Sequence, residues 1–453
     1  MPSDILINMF NMNTVGHQSP GLWKHPRDRS RTYRDLETWV DLAKTLERGL
    51  VDGLFLADVL GVYDVYGGSP DTALRAGAQV PVNDPMLVVS AMAAVTKNLG
   101  FGVTCNLGYE APYVLARRMS TLDHLTKGRM GWNIVTGYLD SAARGIGQNQ
   151  QPGHDRRYDQ ADEFMQVVYG LWEGSWQDGA VVLDRERRMF TDPSKVRPVQ
   201  HSGEFYNIDA IHLSEPSPQR TPVLYQAGAS GRGRRFAAAN AECVFVNGPT
   251  AKVVATYVKA LRQEAHAAGR KPSDICVFSM ATVIVDDTDV GAKAKAEDYR
   301  GYIDHEGTLA LMSGWMGIDF SKYRLDDVLE HVQTDAMRTA IDNFTSSASD
   351  RRWTIRDIAE FGAIGGRGPV FVGSPTTVAD QLERWVEGSG VDGFNLAYAV
   401  FPESFTDFID RVIPELQRRG RYKTSYAPGT LREKLFGAGP LLPINHPGAA
   451  YRL

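Results

Sequence analysis

The stretch Gly128–Tyr138 reads GRMGWNIVTGY, and its middle, Met130–Val135, is a short apolar run bounded by Gly and by Thr-Gly. A run of this kind is typical of a fully buried strand in a parallel sheet. Such a strand would bring Asn133, Thr136 and Tyr138 towards its carboxyl end, where ligands bind in βα proteins. A buried Asn needs hydrogen-bond partners, so Asn133 either pairs with a neighbouring backbone group or faces a ligand.

The rest of the chain repeats this alternation of an apolar run and a helical pattern. Eight strands are predicted, each followed by a helix, at residues 5–10, 54–57, 101–105, 130–135, 222–226, 243–246, 276–285 and 393–397. Eight βα units predict an α/β fold, a (β/α)8 TIM barrel. A doubly wound sheet is the alternative, disfavoured because the glycine-rich segments 228–233 and 362–368 both fail the G-x-G-x-x-G spacing.

Two regions interrupt the alternation, and we expect them to be insertions within a single domain that spans residues 1–453. They lie at about 174–221, which is more strand-like at 181–183 and 204–206, and at about 305–367, which is mostly helical by pattern. The tail, 422–453, is rich in Pro and Gly and is expected to wrap the surface or an oligomer neighbour.

The composition is that of an ordinary soluble globular protein, and an enzyme is the expectation. The 453 residues are 43% hydrophobic and 23% charged, with a formal net charge of −5, which gives no case for nucleic acid or an anionic membrane. The sequence has no transmembrane run and no signal-peptide layout at Met1–Phe10, so a cytoplasmic location is expected. Three widely spaced cysteines argue against a disulfide framework or a zinc site.

A glycine-rich turn at 227–233 follows the fifth predicted strand and opens a helix. Backbone N–H groups and the helix dipole converge there, which predicts an anion site suited to a phosphate. Ser230 could add a hydroxyl, and Arg232 or Arg234 a charge. The alternative is a tight turn that needs Gly only for its backbone angles. The spacing is not that of a triphosphate-binding loop.

Histidines near the predicted strand ends give weaker signals. His154 and the following carboxylates, Asp155, Asp159 and Asp162, could serve a helix N-terminus or hold a metal, and we predict no metal because the two-His spacing of zinc enzymes is absent. His17 is better placed as a general acid or polarising group. Ser-His-Asp hydrolysis is not supported, since the chain has no G-x-S-x-G elbow.

Ordered motifs along nearly the whole chain carry a resemblance to a known family. They are NMxTVGH at 11–17, GLFLAD at 53–58, VPVNDP at 80–85, RRMSTLDHLTKGR at 117–129, WNIVT at 132–136, HDRRYDxADEF at 154–164, SPQRTPVLYQAGxSxRG at 217–233 and GVDGFNL at 390–396. With them the chain resembles the flavin-dependent monooxygenases of the bacterial luciferase-like family. The subgroup is that of the nitrilotriacetate and dibenzothiophene-sulfone enzymes, and the dimethyl sulfide and long-chain alkane monooxygenases look most similar.

The resemblance implies a TIM barrel that takes reduced FMN from a separate NADH:FMN oxidoreductase. In this family FMNH2 reacts with O2 to give a C4a-(hydro)peroxyflavin, which inserts one oxygen atom into the substrate. It implies a small apolar or organosulfur substrate and a homodimer or homotetramer. The protein would hold the flavin, exclude water and steer protons.

The resemblance also implies roles for particular residues. Asp58 and Thr104 would lie along the flavin ring and ribityl chain, with Gly137 and Tyr138 beside them. The 5′-phosphate would be held by His154, Tyr158 and the turn Ala227, Gly228, Ala229 and Ser230. The catalytic residues would be His17, Tyr63 and Tyr138, and Thr14 and Gln79 would contact the substrate.

Two departures from the alkane enzyme's pattern affect the substrate. Thr14 stands where that pattern has Cys, and Tyr138 where it has His, so a phenol of much higher pKa replaces a proton-handling imidazole. This weakens the case for alkane hydroxylation and moves any proton role towards His17. The alternatives are a long-chain alkane or other xenobiotic hydroxylase, and a non-catalytic flavin-binding barrel. A cofactor-independent hydrolase or aldolase lacks a recognisable Schiff-base Lys or metal triad.

Overall fold

The eight predicted strands form one closed parallel barrel. A computed structural model describes residues 4–228, 230–329 and 352–453. The strands are β1 Leu6–Met12, β2 Gly53–Ala57, β3 Gly100–Asn106, β4 Met130–Val135, β5 Val223–Gln226, β6 Cys243–Val246, β7 Cys276–Val285 and β8 Gly393–Ala397. Each pairs in parallel with the next, and β8 pairs with β1, Gly393 lying opposite Leu6. The (β/α)8 prediction is confirmed.

Helices surround this barrel. They are α1 Leu36–Arg48, α2 Asp71–Ala76, α3 Val89–Ala94, α4 Pro112–Thr126, α5 Asp140–Gly145, α6 His154–Gly174, α7 Gly231–Asn240, α8 Ala251–Ala267, α9 Asp289–Arg300, α10 His305–Met316, α11 Ile355–Gly362, α12 Pro375–Ser389, α13 Glu403–Asp407, α14 Ile413–Arg418 and α15 Leu431–Phe436. Across the described ranges, none has the length and apolar character needed to cross a lipid bilayer.

Strand β4 has one face on the helical layer and the other on the barrel interior. Trp132 is fully buried against the rings of Phe164 and Trp172 on α6, at centroid distances of 5.8 and 6.1 Å. The next residue, Asn133, lines the interior and donates from its side chain to Thr104 Oγ1 on β3, at 2.9 Å. Asn133 therefore pairs with a neighbouring side chain, and alternate residues of β4 serve the helical layer and the barrel mouth.

The first insertion holds two antiparallel hairpins, 181–184 with 189–191 and 199–202 with 207–210. The segment 204–206, expected to be strand-like, is instead the turn of the second hairpin. The carboxylate of Glu163 on α6 accepts hydrogen bonds from the backbone N–H groups of Phe205, at 3.0 Å, and Tyr206, at 2.8 Å. These bonds satisfy N–H groups that a sheet partner would otherwise have to bind.

The second insertion and the tail close opposite ends of the barrel. The insertion places α10 and α11 over the carboxyl ends of the strands, and its residues 330–351 lie outside the described ranges. The tail packs on its own chain at the amino ends, where Leu431 N–H donates to Gly128 O, at 2.8 Å, and Arg432 pairs with Glu242, at 2.6 Å. The carboxyl ends of the strands remain as the barrel mouth.

Candidate active site

A cavity opens at the carboxyl ends of the strands and brings together most of the residues singled out from the sequence. Of those residues, the ones lining it are His17, Asp58, Gln79, Thr104, Asn133, Thr136, Gly137, Tyr138, His154, Tyr158, Ala227, Gly228 and Ser230. Ala229 lies outside the described residues. Tyr63 is fully buried behind Tyr138, and the hydroxyl of Thr14 donates to Pro81 O, at 2.6 Å, away from the cavity. The position of Thr14 therefore does not support direct contact with a substrate.

One end of the cavity is built by the N-termini of two helices. Gly153 caps α6 and Ser230 caps α7, so free N–H groups of both helices converge there. His154 Nε2 lies 3.3 Å from Ser230 Oγ, which also accepts a hydrogen bond from Gly233 N–H, at 3.1 Å. The ring of Tyr158 lies 5.2 Å from that of His154. This end has the chemistry of an anion site.

The two arginines of the turn do not serve that site directly. Arg232 forms ion pairs with Asp159, at 3.3 Å, and Asp162, at 2.5 Å, and lies over the ring of Tyr158. Arg234 pairs with Glu264, at 2.8 Å. Both charges are already paired with carboxylates, so these contacts give no support to the prediction that Arg232 or Arg234 adds a charge to the anion site.

The middle of the cavity is lined by amides and one acid. Within the described part of the chain, the side-chain oxygens of Asn133 and Asn395 are buried without a hydrogen-bond partner. Burial raises the pKa of Asp58 to about 7, with a further contribution from the charge of Asp84 and an opposing one from the backbone of Val59. This acid changes protonation near neutral pH, so it both donates and accepts hydrogen bonds in that range.

A hydrogen-bonded network closes the far side. Tyr63 donates to Gln79 Oε1, at 2.8 Å, and lies 2.5 Å from the hydroxyl of Tyr138. Trp315 Nε1 donates to the hydroxyl of Tyr63, at 3.0 Å. Gln79 has a left-handed backbone, with φ of +55°, and donates to the carbonyl of His17, at 2.6 Å. A non-glycine residue in this conformation is strained, and such strain clusters at functional sites.

His17 lies at the mouth with its ring edge-on to Phe10, at a centroid distance of 4.3 Å. Burial lowers the pKa of His17 to about 3, against a smaller opposing effect from the backbone of Phe10. The ring is neutral at physiological pH. His17 can therefore polarise or position a ligand, but it does not carry an ionisable proton in the manner expected of a general acid.

Sequence reasoning missed two residues of the second insertion that line the cavity. Trp315 lies on α10, and Arg367 follows α11 with its guanidinium carbon 4.8 Å from the Trp315 ring centroid. The only local signal was the position of Arg367 within a run of glycines, Gly365-Gly366-Arg367-Gly368. The position of Arg367 in the sequence has no regular spacing from the predicted strand ends.

Comparison with known proteins agrees with this geometry. The chain is 52% identical to dimethyl-sulfide monooxygenase of Hyphomicrobium sulfonivorans over 453 residues, 100% of this chain and 94% of the relative. It is 48% identical to long-chain alkane monooxygenase of Geobacillus thermodenitrificans over 453 residues, 100% and 99%. Nitrilotriacetate monooxygenase component A of Aminobacter aminovorans is 33% identical over 432 residues, 93% and 94%.

Among solved structures, a riboflavin lyase with modified FMN and riboflavin superposes with a TM-score of 0.93. It is 35% identical, and the match covers 100% of both chains. Residues 11–393 match the family model for luciferase-like monooxygenases. The resemblance drawn from the motifs is confirmed, and this chain belongs to the luciferase-like monooxygenase family.

Proposed function

We propose that this monooxygenase is the oxygenating component of a two-component system, inserting one oxygen atom from O2 into a small apolar or organosulfur compound. A separate NADH:FMN oxidoreductase would supply FMNH2. Support comes from the relative named as component A of a monooxygenase, from the FMN in a neighbouring structure, and from the lack of a dinucleotide-binding motif in this sequence.

The cavity fits FMN at both of its chemically distinct ends. The N-termini of α6 and α7, with the Ser230 hydroxyl and His154, suit a phosphate dianion, and this convergence is the observation that carries the proposal. Further in, the unpartnered oxygens of Asn133 and Asn395 could accept hydrogen bonds from the polar edge of an isoalloxazine ring. A buried amide oxygen without a hydrogen-bond partner lowers the stability of the fold. A hydrogen bond donated by a ligand would remove that cost.

Bound FMNH2 would supply the two electrons that activate O2, with one oxygen atom going to the substrate and the other leaving as water. The chain's residues would hold the phosphate and the ring and keep water out, since Phe10, Phe55 and Phe245 cover part of the cavity wall. The paired phenols of Tyr63 and Tyr138 would orient polar groups at the reacting end. Asp58 would gain or lose its proton near pH 7 next to the ring.

The test combines binding and turnover. FMN and FMNH2 affinity are measured by titration, the latter without oxygen. The protein is then supplied with a flavin reductase, NADH and isotopically labelled O2 over a panel of sulfides, sulfones and alkanes, each with and without a carboxylate or sulfonate group. We expect flavin binding and a product that has gained one labelled oxygen atom.

Failure to bind either form of flavin, together with no oxygenated product, would refute the proposal. Flavin binding with no product from any substrate would instead favour a non-catalytic flavin-binding barrel.

A further inference from the structure

Arg367 is held firmly at the barrel mouth by the loop that carries it. Gly365 has φ of +76°, and a Cβ there would lie 2.1 Å from Thr282 Oγ1 on β7. The N–H of Gly365 also donates to Ser19 Oγ, at 3.0 Å. The loop therefore lies directly on the barrel, and the guanidinium rests on the ring of Trp315, 4.8 Å from its centroid.

Among the described residues, Arg367 has no anionic partner, and its one cation–π contact is with the ring of Trp315. Within the described ranges its guanidinium forms no hydrogen bond and no ion pair, and its Nε atom is shielded from solvent. Two fully buried arginines are compensated in this way: Arg432 pairs with Glu242 at 2.6 Å, and Arg129 donates to the carbonyls of Thr126 and Leu99, at 2.6 and 2.8 Å. Arg367 is partly exposed within the cavity, and an arginine stays protonated in proteins, so its unpaired charge is available to an anionic ligand there.

The surroundings of Arg367 are neutral. The ionisable groups that act electrostatically on Arg367 are Tyr138 and Tyr63. Burial raises the pKa of Tyr63 well above its ordinary value and that of Tyr138 to about 12, so both phenols are uncharged. Asp58 supplies the only carboxylate among the described residues that line the cavity, and no ion pair joins it to Arg367.

The phosphate of FMN would not meet this charge. The proposed phosphate site lies at the N-termini of α6 and α7, whereas Arg367 lies with Trp315 and Tyr138 on the side closed by the second insertion. One cavity thus has two places for an anion, and a single phosphate group occupies only one of them.

We propose that Arg367 binds an anionic group at one end of the substrate. The substrate class is then an amphiphilic anion: an organosulfur or aliphatic compound that carries a carboxylate, sulfonate or sulfinate. A planar guanidinium can donate two parallel hydrogen bonds to two oxygens of such a group. The apolar remainder would face the aromatic wall of the cavity. This inference rests on the proposed function of the same site, and it separates this chain's substrate from an unsubstituted sulfide or alkane.

The test measures binding, so it does not depend on turnover. Octanesulfonate and octanoate are titrated calorimetrically into the protein, with and without saturating oxidised FMN, and compared with uncharged methyl octyl sulfone. We expect the anions to bind at least about tenfold more tightly than the sulfone, since a hydrogen bond to a charged group is replaced by one to a neutral group. Arg367→Met should remove that preference, and Arg367→Lys should keep part of it.

Arg300→Met is the matched control. Arg300 is exposed on α9 and pairs with Glu297, so the variant loses the same charge without touching the cavity. It should bind both probes as the unmodified protein does. Oxidised FMN affinity and thermal unfolding of Arg367→Met establish that the fold and the flavin site persist.

Three results would overturn the inference. The first is equal affinity of the unmodified protein for anionic and neutral probes. The second is an equal loss of affinity for the anionic and the neutral probes in Arg367→Met, which would indicate that Arg367 acts by packing on Trp315. The third is unchanged probe binding in Arg367→Met together with weaker binding of FMNH2, titrated into the variant without oxygen, which would assign the charge to the reduced flavin. None of these results depends on whether oxygenated product is formed.

Discussion

The hydroxyl oxygens of Tyr63 and Tyr138 lie 2.5 Å apart, and the hydrogen bonds around them determine which one donates. Gln79 donates its amide N–H to the carbonyl of His17, so its side-chain oxygen faces Tyr63 and accepts from it. The single proton of Tyr63 is then committed to Gln79, and Tyr138 donates to Tyr63. The oxygen of Tyr138 therefore offers lone pairs to the cavity.

The two tyrosines should differ in their effect on stability. Tyr63→Phe leaves both Gln79 Oε1 and Trp315 Nε1 without a partner, and we expect it to lower the free energy of unfolding by about 1–3 kcal/mol. Tyr138→Phe removes one donor from Tyr63 and should cost less. Urea unfolding of both variants measures the difference. Equal costs would show that Tyr63 is not the centre of the network.

The barrel could be predicted from the sequence because each buried strand has an apolar pattern that is visible locally. Strand β4 has the predicted bounds, whereas β1 extends two residues beyond the prediction. Asn11 and Met12 continue β1 because they pair with Leu56 and Ala57 of β2, and a polar Asn before a loop gives no sign of that pairing. At the end of β1, pairing with the neighbouring strand determines the strand's length, and the local sequence pattern does not.

The proposed phosphate site could be predicted from the sequence, whereas the proposed anion site at Arg367 could not. The turn that contains Ser230 can be recognised in the sequence because small residues stand between a predicted strand and a predicted helix. Arg367 and Trp315 reach the cavity because α10 packs on the buried ring of Tyr63, so close that a Cβ on Gly314 would lie 2.4 Å from it. Gly314 and Tyr63 are 251 positions apart in the chain, so the local periodicity of the sequence cannot predict their contact.

Flavin binding should depend on Ser230 and Tyr158 together. Tyr158→Phe combined with Ser230→Ala should weaken FMN binding by about 1–3 kcal/mol, because each residue would donate to a charged phosphate. Ser230 also caps α7, so the variant loses a helix cap as well. Thr250→Ala is the control, since Thr250 caps α8 through Val253 N–H, at 3.3 Å, away from the cavity. Fluorescence titration should show FMN affinity reduced only in the first variant; unchanged affinity there would refute the phosphate assignment.

The raised pKa of Asp58 predicts a pH dependence of stability. The folded protein holds this proton up to a pKa of about 7, whereas an unfolded Asp releases it near 3.8, so the folded state binds more protons in between. The contribution of Asp58 to the free energy of unfolding therefore falls as the pH rises from about 4 to about 7 and is constant above that.

Asp58→Asn has no such titration. The difference in unfolding free energy between the unmodified protein and this variant should therefore decrease across that window when measured by urea unfolding without flavin. A difference that stays constant from about pH 4 to 8 would show that the folded carboxyl ionises normally.

His17 should influence coupling without setting the pH profile. Its pKa of about 3 keeps the ring neutral from about pH 5 to 8, the range where an ordinary histidine titrates. We expect His17→Gln to bind FMN as before, to form less product per FMNH2 and more hydrogen peroxide, and to leave the midpoints of the pH profile in place. A midpoint that disappears in His17→Gln would show that the ring ionises during the reaction.

Gly137 gives a way to separate backbone strain from crowding at the cavity wall. It has φ of +80°, and a Cβ there would lie 2.7 Å from Asn106 Nδ2 and 2.8 Å from the hydroxyl of Tyr109. Gly147 has a similar φ of +86°, but within the described part of the chain no atom lies within 4 Å of its added Cβ. Both alanine variants should lose about 1 kcal/mol of stability for the left-handed backbone. Gly137→Ala should lose at least about 1 kcal/mol more, because two side chains must move.

Asn106 and Tyr109 line the cavity, so their displacement should also weaken FMN binding in Gly137→Ala but not in Gly147→Ala. Urea unfolding and flavin titration of the pair measure the two effects separately. Equal stability and equal FMN affinity in the two variants would mean that the wall beside Gly137 has room to adjust, and that the turn after β4 does not set the shape of the flavin pocket.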